Sequence, residues 1–114
     1  MELAEKKCVP CRGGIPPLAR SEAEKLLPST PGWTLDAQAK QVERTFKFPD
    51  FATALAFVDR IGALAEAEDH HPDITFGWGY CRVVFQTHKI KGLHENDFIM
   101  AAKVNALPGA EKKP

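Results

Sequence analysis

The residues best suited to chemistry lie in one stretch of the chain. His70 and His71 stand together before Pro72, a third histidine follows at position 88, and Asp97 comes shortly after it. An imidazole ordinarily titrates near pH 6.5 and can donate or accept protons at cellular pH. A carboxylate bonded to one ring nitrogen fixes the tautomer and makes the other nitrogen more basic. We therefore expect His70, His71 and His88 to form one acid/base pocket, with Asp97 orienting one of the rings.

Two other interpretations of these histidines stay open at this point. Adjacent histidines before a proline often form a solvated helix end without any pocket. A zinc site could be built from the three histidines and Asp97. However, neighbouring residues of an extended segment point to opposite sides, which disfavours joint ligation of one metal. His94 is expected on a surface turn, outside the pattern.

Cys8 and Cys11 are the chemical feature of an irregular leader, residues 1–17. They could be half of a zinc site, with a second cysteine pair supplied by another copy of the chain, or simply two thiols on the leader. A redox pair is disfavoured, because the glycine pair that follows does not predict the helix N-terminus that would lower a thiol pKa. The third cysteine, Cys81, is predicted to be a buried core thiol.

Apolar periodicity predicts the elements that position these residues. Helices are expected over about 20–27, 51–68 and 96–107, and strands over 33–35, 41–48, 73–78 and 80–88. The fold class is therefore α+β, a four-stranded antiparallel sheet with helices packed on one face, in the order α-β-β-α-β-β-α. Residues 18–108 would form the domain and 109–114 a tail.

Two apolar faces are predicted to meet in the core. The inward face of the strand 80–88 is expected to carry Cys81, Val83, Phe85 and Thr87. The second helix is expected to lie on the sheet through Phe51, Leu55, Val58 and Ile61.

Length and charge exclude several classes of function. The chain has 114 residues, which suit one compact domain, and a net charge of zero, which gives no basic excess for nucleic acid. No apolar run approaches a membrane helix and residues 1–7 lack a signal-peptide core, so the expected location is the cytoplasm. A chain this short buries a modest fraction of its surface, which favours association as a source of stability.

The polar residues and their flanks resemble those of the pterin-4a-carbinolamine dehydratases. The resemblance rests on Glu66, Asp69, His70-His71-Pro72, Trp78, Thr87-His88 and Asp97, in that order, and extends to Pro31-Gly32-Trp33, 46–52 and Gly92-Leu93. It covers residues 18–107 and is specific, because several spaced polar residues and their flanking elements agree. It implies the same helix-on-sheet fold and a homodimer or homotetramer. Cys8 and Cys11 are not part of the well-known animal pattern.

The resemblance also implies a reaction, the dehydration of a 4a-hydroxytetrahydropterin to quinonoid dihydropterin in pterin recycling. One group must protonate the departing hydroxyl, and another must take the proton from ring N5. No cofactor is implied, since neither a redox change nor a metal is needed. By the same resemblance, His70 and His88 form the acid/base pair, His71 holds the pterin and Asp97 orients His88.

Further residues are implied to support the site. Glu66 would support the histidine pair from the preceding helix turn. The neighbours of the histidines would offer polar or backbone contacts to the pterin ring, namely Asp69, Gln86, Thr87 and Lys89.

Two rival functions remain from the sequence. The resembling family includes a mammalian member that also stabilises a transcription-factor dimer, so the scaffold could be a non-catalytic protein-binding or dimerisation module. The cysteine pair keeps open a pterin-related role in molybdenum cofactor metabolism. The complete histidine set favours the enzyme, with a pterin as its small-molecule partner and no direct contact with nucleic acid or membrane.

Overall fold

Three helices and four strands follow one another in the predicted order. The structure, a computed structural model, describes residues 3–8 and 16–110. Its elements are α1 (Arg20–Leu26), β1 (Thr34–Leu35), β2 (Val42–Lys47), α2 (Phe51–Glu68), β3 (Asp73–Gly77), β4 (Tyr80–Phe85) and α3 (Glu95–Asn105). Short 3₁₀ helices cover Leu3–Glu5, Leu27–Ser29 and His88–Ile90. The predicted α+β class and element order are confirmed.

The four strands form one antiparallel sheet in the order β1-β2-β4-β3. Val42 of β2 pairs with Phe85 at the end of β4, and Asp73 at the start of β3 pairs with Val84. The turn between β3 and β4 needs Gly79, which has a φ of 80° that side chains rarely adopt. This register places the chain that follows α2 beside the chain that follows β4.

The inward face of β4 is the one predicted from alternation. Cys81, Val83 and Phe85 are fully buried, and Thr87 just beyond the strand is almost so. Trp33 packs its ring against Phe85, with the ring centroids 5.8 Å apart. The helices therefore cover one face of the sheet, as expected for a two-layer α+β domain.

The face of α2 that enters the core differs from the predicted stripe. Its buried residues are Ala54, Phe57, Ile61 and Ala65. In contrast, Phe51 and Leu55 are 43% and 40% exposed. Phe57 fits between Phe46 and Phe48, at ring-centroid distances of 4.9 and 5.2 Å, while the flanking alanines let the helix approach the sheet closely. The predicted and observed stripes share Ile61, so spacing alone did not choose between them.

A helix that spans a membrane needs about 20 predominantly apolar residues in succession. None of the helices within residues 3–8 and 16–110 is both long and apolar enough to meet this requirement.

Replacing Phe57 with alanine should lower the free energy of unfolding by about 3–5 kcal/mol, because a fully buried ring is lost and a cavity is left. The matched change Phe51→Ala should cost much less, since that ring is largely outside the core. Urea unfolding at two protein concentrations measures both losses and separates folding from association. A loss for Phe51→Ala that equals the loss for Phe57→Ala would contradict the observed core face, and a larger loss would support the stripe predicted from spacing.

Candidate active site

Helix α2 ends sharply just before the histidine pair. Asp69 adopts a left-handed conformation with φ of 55°, and the N–H groups of Asp69 and His70 both donate to the carbonyl of Ala65. Aspartate visits this conformation more readily than most residues. Pro72 then favours an extended backbone at His71. The two imidazoles therefore leave the helix at the junction of α2 and β3.

Strand β4 ends at Phe85, although the alternating pattern predicted a strand to His88. Thr87 instead forms an isolated antiparallel bridge with Gly92, and its N–H donates to the Gly92 carbonyl at 2.9 Å. His88 begins the 3₁₀ helix inside this closed loop. Thr87 still faces inward and His88 outward, so alternation continues past the last ladder pair and does not mark the end of the strand.

A cavity of about 490 Å³ lies where these two segments meet. It is lined by Cys8, Ala67, Glu68, Asp69, His70, His71, Gln86, Thr87, His88, Lys89 and Asn96. All three predicted histidines are in this lining, together with the four neighbours that were expected to contact a pterin, Asp69, Gln86, Thr87 and Lys89. Glu66 is not in the lining, and neither is Asp97.

Asp97 lies behind the cavity wall as a fully buried carboxylate. Its Oδ1 is 2.7 Å from Nε2 of His70, and its Oδ2 accepts from the Thr87 hydroxyl at 2.8 Å and from the His94 N–H at 3.0 Å. The resemblance implied that Asp97 orients His88, and the structure pairs it with His70 instead. The reason is positional, because His88 faces outward in its loop while His70 faces the start of α3.

The ring of His70 is held on two sides. Asp97 binds Nε2, and the ring of Phe85 lies nearly parallel to the imidazole, with the centroids 6.1 Å apart and an interplanar angle of 10°. With an ionised carboxylate as partner, the neutral imidazole carries its proton on Nε2 and leaves Nδ1 as the basic nitrogen. Phe85 was predicted only as a core residue, since alternation gives no sign that its ring touches the site.

His71 and His88 are held much less firmly than His70. Nε2 of His71 lies 2.6 Å from Oε2 of Glu66, which matches the expected support from the preceding helix turn. Both side chains of this pair are exposed, so the contact contributes little to stability. The imidazole of His88 is also exposed and has no hydrogen bond to any other residue within 3–8 and 16–110. It is free to turn towards a ligand in the cavity.

His94 is the N-cap of α3, although it was predicted to lie on a surface turn outside the site. Its Nδ1 accepts from the N–H of Asn96 at 2.9 Å, while its own N–H donates to Asp97. This reciprocal arrangement is a capping box, with the acidic residue three positions after the cap. The spacing from His94 to Asp97 could have revealed it, but histidine is an unusual capping residue. The capping box fixes the Asp97 carboxylate, and with it His70.

Several lining residues were not predicted from the sequence as parts of the site. Ala67 and Glu68 come from the last turn of α2, and Asn96 comes from the first turn of α3. Cys8 reaches the cavity from the leader, where it was considered as a metal ligand, as half of a redox pair or as a plain thiol. Its position depends on contacts between distant segments, for which a linear pattern has no signal.

The metal hypotheses have little support in the described part of the chain. Within residues 3–8 and 16–110, no group of three or more histidine, cysteine, aspartate or glutamate side chains could hold a metal ion. Cys11 lies outside these residues, so a site that uses Cys8 and Cys11 remains a prediction.

Comparisons with a family model and with known sequences point to the same protein family. The family model described as Pterin 4 alpha carbinolamine dehydratase matches residues 16–107. Several relatives carry the name "Putative pterin-4-alpha-carbinolamine dehydratase", and two of them show the degree of similarity. The protein of Methylococcus capsulatus is 63% identical over 105 residues, covering 92% of each chain. The protein of Halorhodospira halophila is 58% identical over 107 residues, covering 94% of this chain and 98% of the relative.

Solved structures show the same fold. A transcriptional coactivator/pterin dehydratase from Brucella melitensis is 36% identical with a TM-score of 0.74, over 79% of this chain and 96% of that one. A pterin dehydratase-like protein identified as a RuBisCO assembly factor in the alpha-carboxysome is 28% identical with a TM-score of 0.59, over 70% of this chain and 93% of that one.

Replacing Asp97 with asparagine should change the ring nitrogen shifts of His70 and leave those of His88 nearly unchanged, because the carboxylate bonds to His70 alone of these two. Nitrogen-15 correlation spectra of the histidine side chains measure both rings in one sample. A change confined to His88 would support the pairing implied by the resemblance and contradict the observed one.

Proposed function

This chain belongs to the pterin 4 alpha carbinolamine dehydratase family, and we propose that it is a 4a-hydroxytetrahydrobiopterin dehydratase, a hydro-lyase that converts a 4a-hydroxytetrahydropterin into quinonoid dihydropterin and water. The observation that carries the proposal is the cavity itself. It is lined by three histidines, of which one is bonded to a buried carboxylate and another is free of hydrogen bonds to the described residues. A cavity of about 490 Å³ is in the range that binds small organic ligands.

The reaction needs two proton transfers on opposite parts of one flat ring system. The bond between C4a and the hydroxyl oxygen breaks as that oxygen gains a proton and leaves as water. The proton on N5 is lost, and its electron pair forms the N5–C4a double bond. General acid and base groups placed at both positions typically accelerate such a reaction by about 10²–10⁴-fold.

We assign the base to His70 and the acid to His88. When His70 accepts the N5 proton it becomes an imidazolium, which the adjacent Asp97 carboxylate stabilises without moving. His88 is exposed at the cavity rim, where it can be reprotonated by solvent after it gives a proton to the departing hydroxyl. Asp97 acts through His70 and is a positioning residue.

The remaining polar residues would hold the pterin. His71, braced by Glu66, would contact the ring from the end of α2, together with Asp69. Gln86 and Lys89 would contact it from the loop after β4. The hydroxyl of Thr87 donates to Asp97, so this residue serves the His70 orientation as well as the lining.

Replacing either His70 or His88 with alanine should lower the catalysed rate by about 10²–10⁴-fold, because each substitution removes one proton-transfer group. The measurement follows the decay of 4a-hydroxytetrahydropterin, generated in situ by an aromatic amino acid hydroxylase, against the spontaneous rate. Lys47→Ala, an exposed change at the end of β2 that lies far from the cavity, is the control and should retain full activity. A wild-type rate equal to the spontaneous rate would refute the dehydratase.

An exposed apolar surface on α2 supports association of the chain. Phe51 and Leu55 lie outside the core, and the ring of Phe51 stacks on that of Phe76 in β3, with the centroids 5.5 Å apart. Exposed apolar patches of this kind usually mark protein contacts. We infer a homodimer or homotetramer that uses this surface. It also supports the second candidate function, a protein-binding module, for which pull-down of a specific partner without pterin turnover would be the distinguishing result.

Replacing Leu55 with glutamate should shift the oligomer towards monomer, because a charge would be placed in the apolar contact. Light scattering coupled to size-exclusion chromatography measures the mass directly. The matched change Ala63→Glu puts the same charge on another exposed position of α2 and should leave the mass unchanged. If both variants keep the wild-type mass, this surface is not the interface.

A further inference from the structure

Residues 3–8, which we call the strap, lie outside the stretch matched by the family model and yet pack against the site. The strap starts with a 3₁₀ helix over Leu3–Glu5. The side chain of Leu3 is buried in the hydrophobic core, and the strap runs along α3 from there. It is therefore an integral part of the folded domain.

Polar contacts tie the strap to the two helices that carry the site. They are Lys103 Nζ to the Ala4 carbonyl at 2.8 Å, Lys6 Nζ to Glu95 Oε2 at 2.6 Å, and the Cys8 N–H to Glu68 Oε1 at 3.0 Å. Glu68 is the last residue of α2 and Glu95 is the first residue of α3. These are the same helix ends that position His70 and Asp97, so the strap is fixed relative to both.

The end of the strap forms part of the cavity wall. Cys8 lies in the lining, with its Sγ 3.8 Å from the carbonyl oxygen of Asn96, to which the thiol donates. The other lining residues are polar or charged with one exception, Ala67. Cys8 and Ala67 are therefore the least polar residues of the lining, to which the histidines and the loop after β4 contribute polar groups.

The Cys8 thiol is neutral under physiological conditions. Burial, and after it the nearby Glu68 carboxylate, raise the pKa of Cys8 to about 12. A thiol in this state is a poor nucleophile and a poor metal ligand, because both roles need the thiolate. It behaves as a small, polarisable apolar group, well suited to contact with a ring face.

We propose that the strap is one wall of the ligand site and that Cys8, with Ala67, contacts the carbon face or the apolar substituent of a flat heterocycle whose polar edge meets the histidines. Cys8 is then a specificity-determining residue, which sets how far the ligand extends towards the ends of α2 and α3. The inference rests on the proposed function, since the heterocycle in question is the pterin.

The test enlarges the side chain at this wall. Cys8→Phe should raise the Kd for 7,8-dihydrobiopterin and the KM for the carbinolamine by about tenfold or more, because the ring occupies ligand space. The kcat at saturation should stay within about threefold, since the proton-transfer groups are untouched. The matched change Lys7→Phe puts the same ring on an exposed strap position and should leave Kd and KM unchanged.

A second measurement keeps the inference testable if Cys8→Phe does not fold. In the wild-type chain, bound 7,8-dihydrobiopterin should show nuclear Overhauser contacts with the β-protons of Cys8, as expected when the ligand lies against this side chain. Bound pterin that makes no such contact with Cys8 would overturn the proposal.

The outcomes separate the two proposals. A wild-type chain that turns over the carbinolamine, combined with a folded Cys8→Phe variant that matches it in Kd and KM, refutes the strap as a ligand wall and leaves the dehydratase standing. Equal weakening by Lys7→Phe also refutes it, because the effect would then come from strap distortion. A wild-type chain that neither binds nor converts the pterin refutes the proposed function, and the strap assignment with it.

Discussion

The site depends on one buried carboxylate. Asp97 accepts hydrogen bonds from Thr87 and His94 and binds the imidazole of His70, so the two oxygens are satisfied although the side chain has no solvent contact. An unpaired charge in such a place would be strongly destabilising, and each of these partners therefore contributes to the stability of the fold as well as to the geometry of the candidate site. The position of Asp97 in the first turn of α3 adds the favourable field of the helix N-terminus.

The sheet register brings together the segments that this carboxylate connects. His70 follows α2, Thr87 follows β4 and Asp97 lies in α3, which are distant in sequence. The antiparallel pairing of β3 with β4 places the first two segments side by side. The tight loop closed by Gly92 then turns the chain back, so that α3 begins next to both segments. The geometry of the candidate site is thus a result of the topology of the sheet and of the helices beside it.

The sequence predicted those features that depend on local pattern. Alternation identified the buried face of β4, and turn residues and helical spacing identified the order of elements. Spacing failed for α2, where two overlapping stripes share Ile61 and only the fit of Phe57 against the sheet decides between them. Spacing also could not assign the partner of Asp97. The separation of residues along the sequence does not show whether His70 or His88 lies next to this carboxylate in the folded chain. The strap was beyond prediction for a similar reason, since its anchors join backbone and side chains that are far apart along the chain.

The two tryptophans of this chain occupy opposite environments, which makes the protein suited to spectroscopy. Trp33 is packed in the core, whereas Trp78 on the turn between β3 and β4 is 73% exposed. The fluorescence of the native state is therefore the sum of the emission of a buried tryptophan and that of an exposed one. A small quencher such as acrylamide should quench Trp78 at lower concentrations than Trp33. A solution study can in this way follow the interior and the hairpin tip separately, without any added dye.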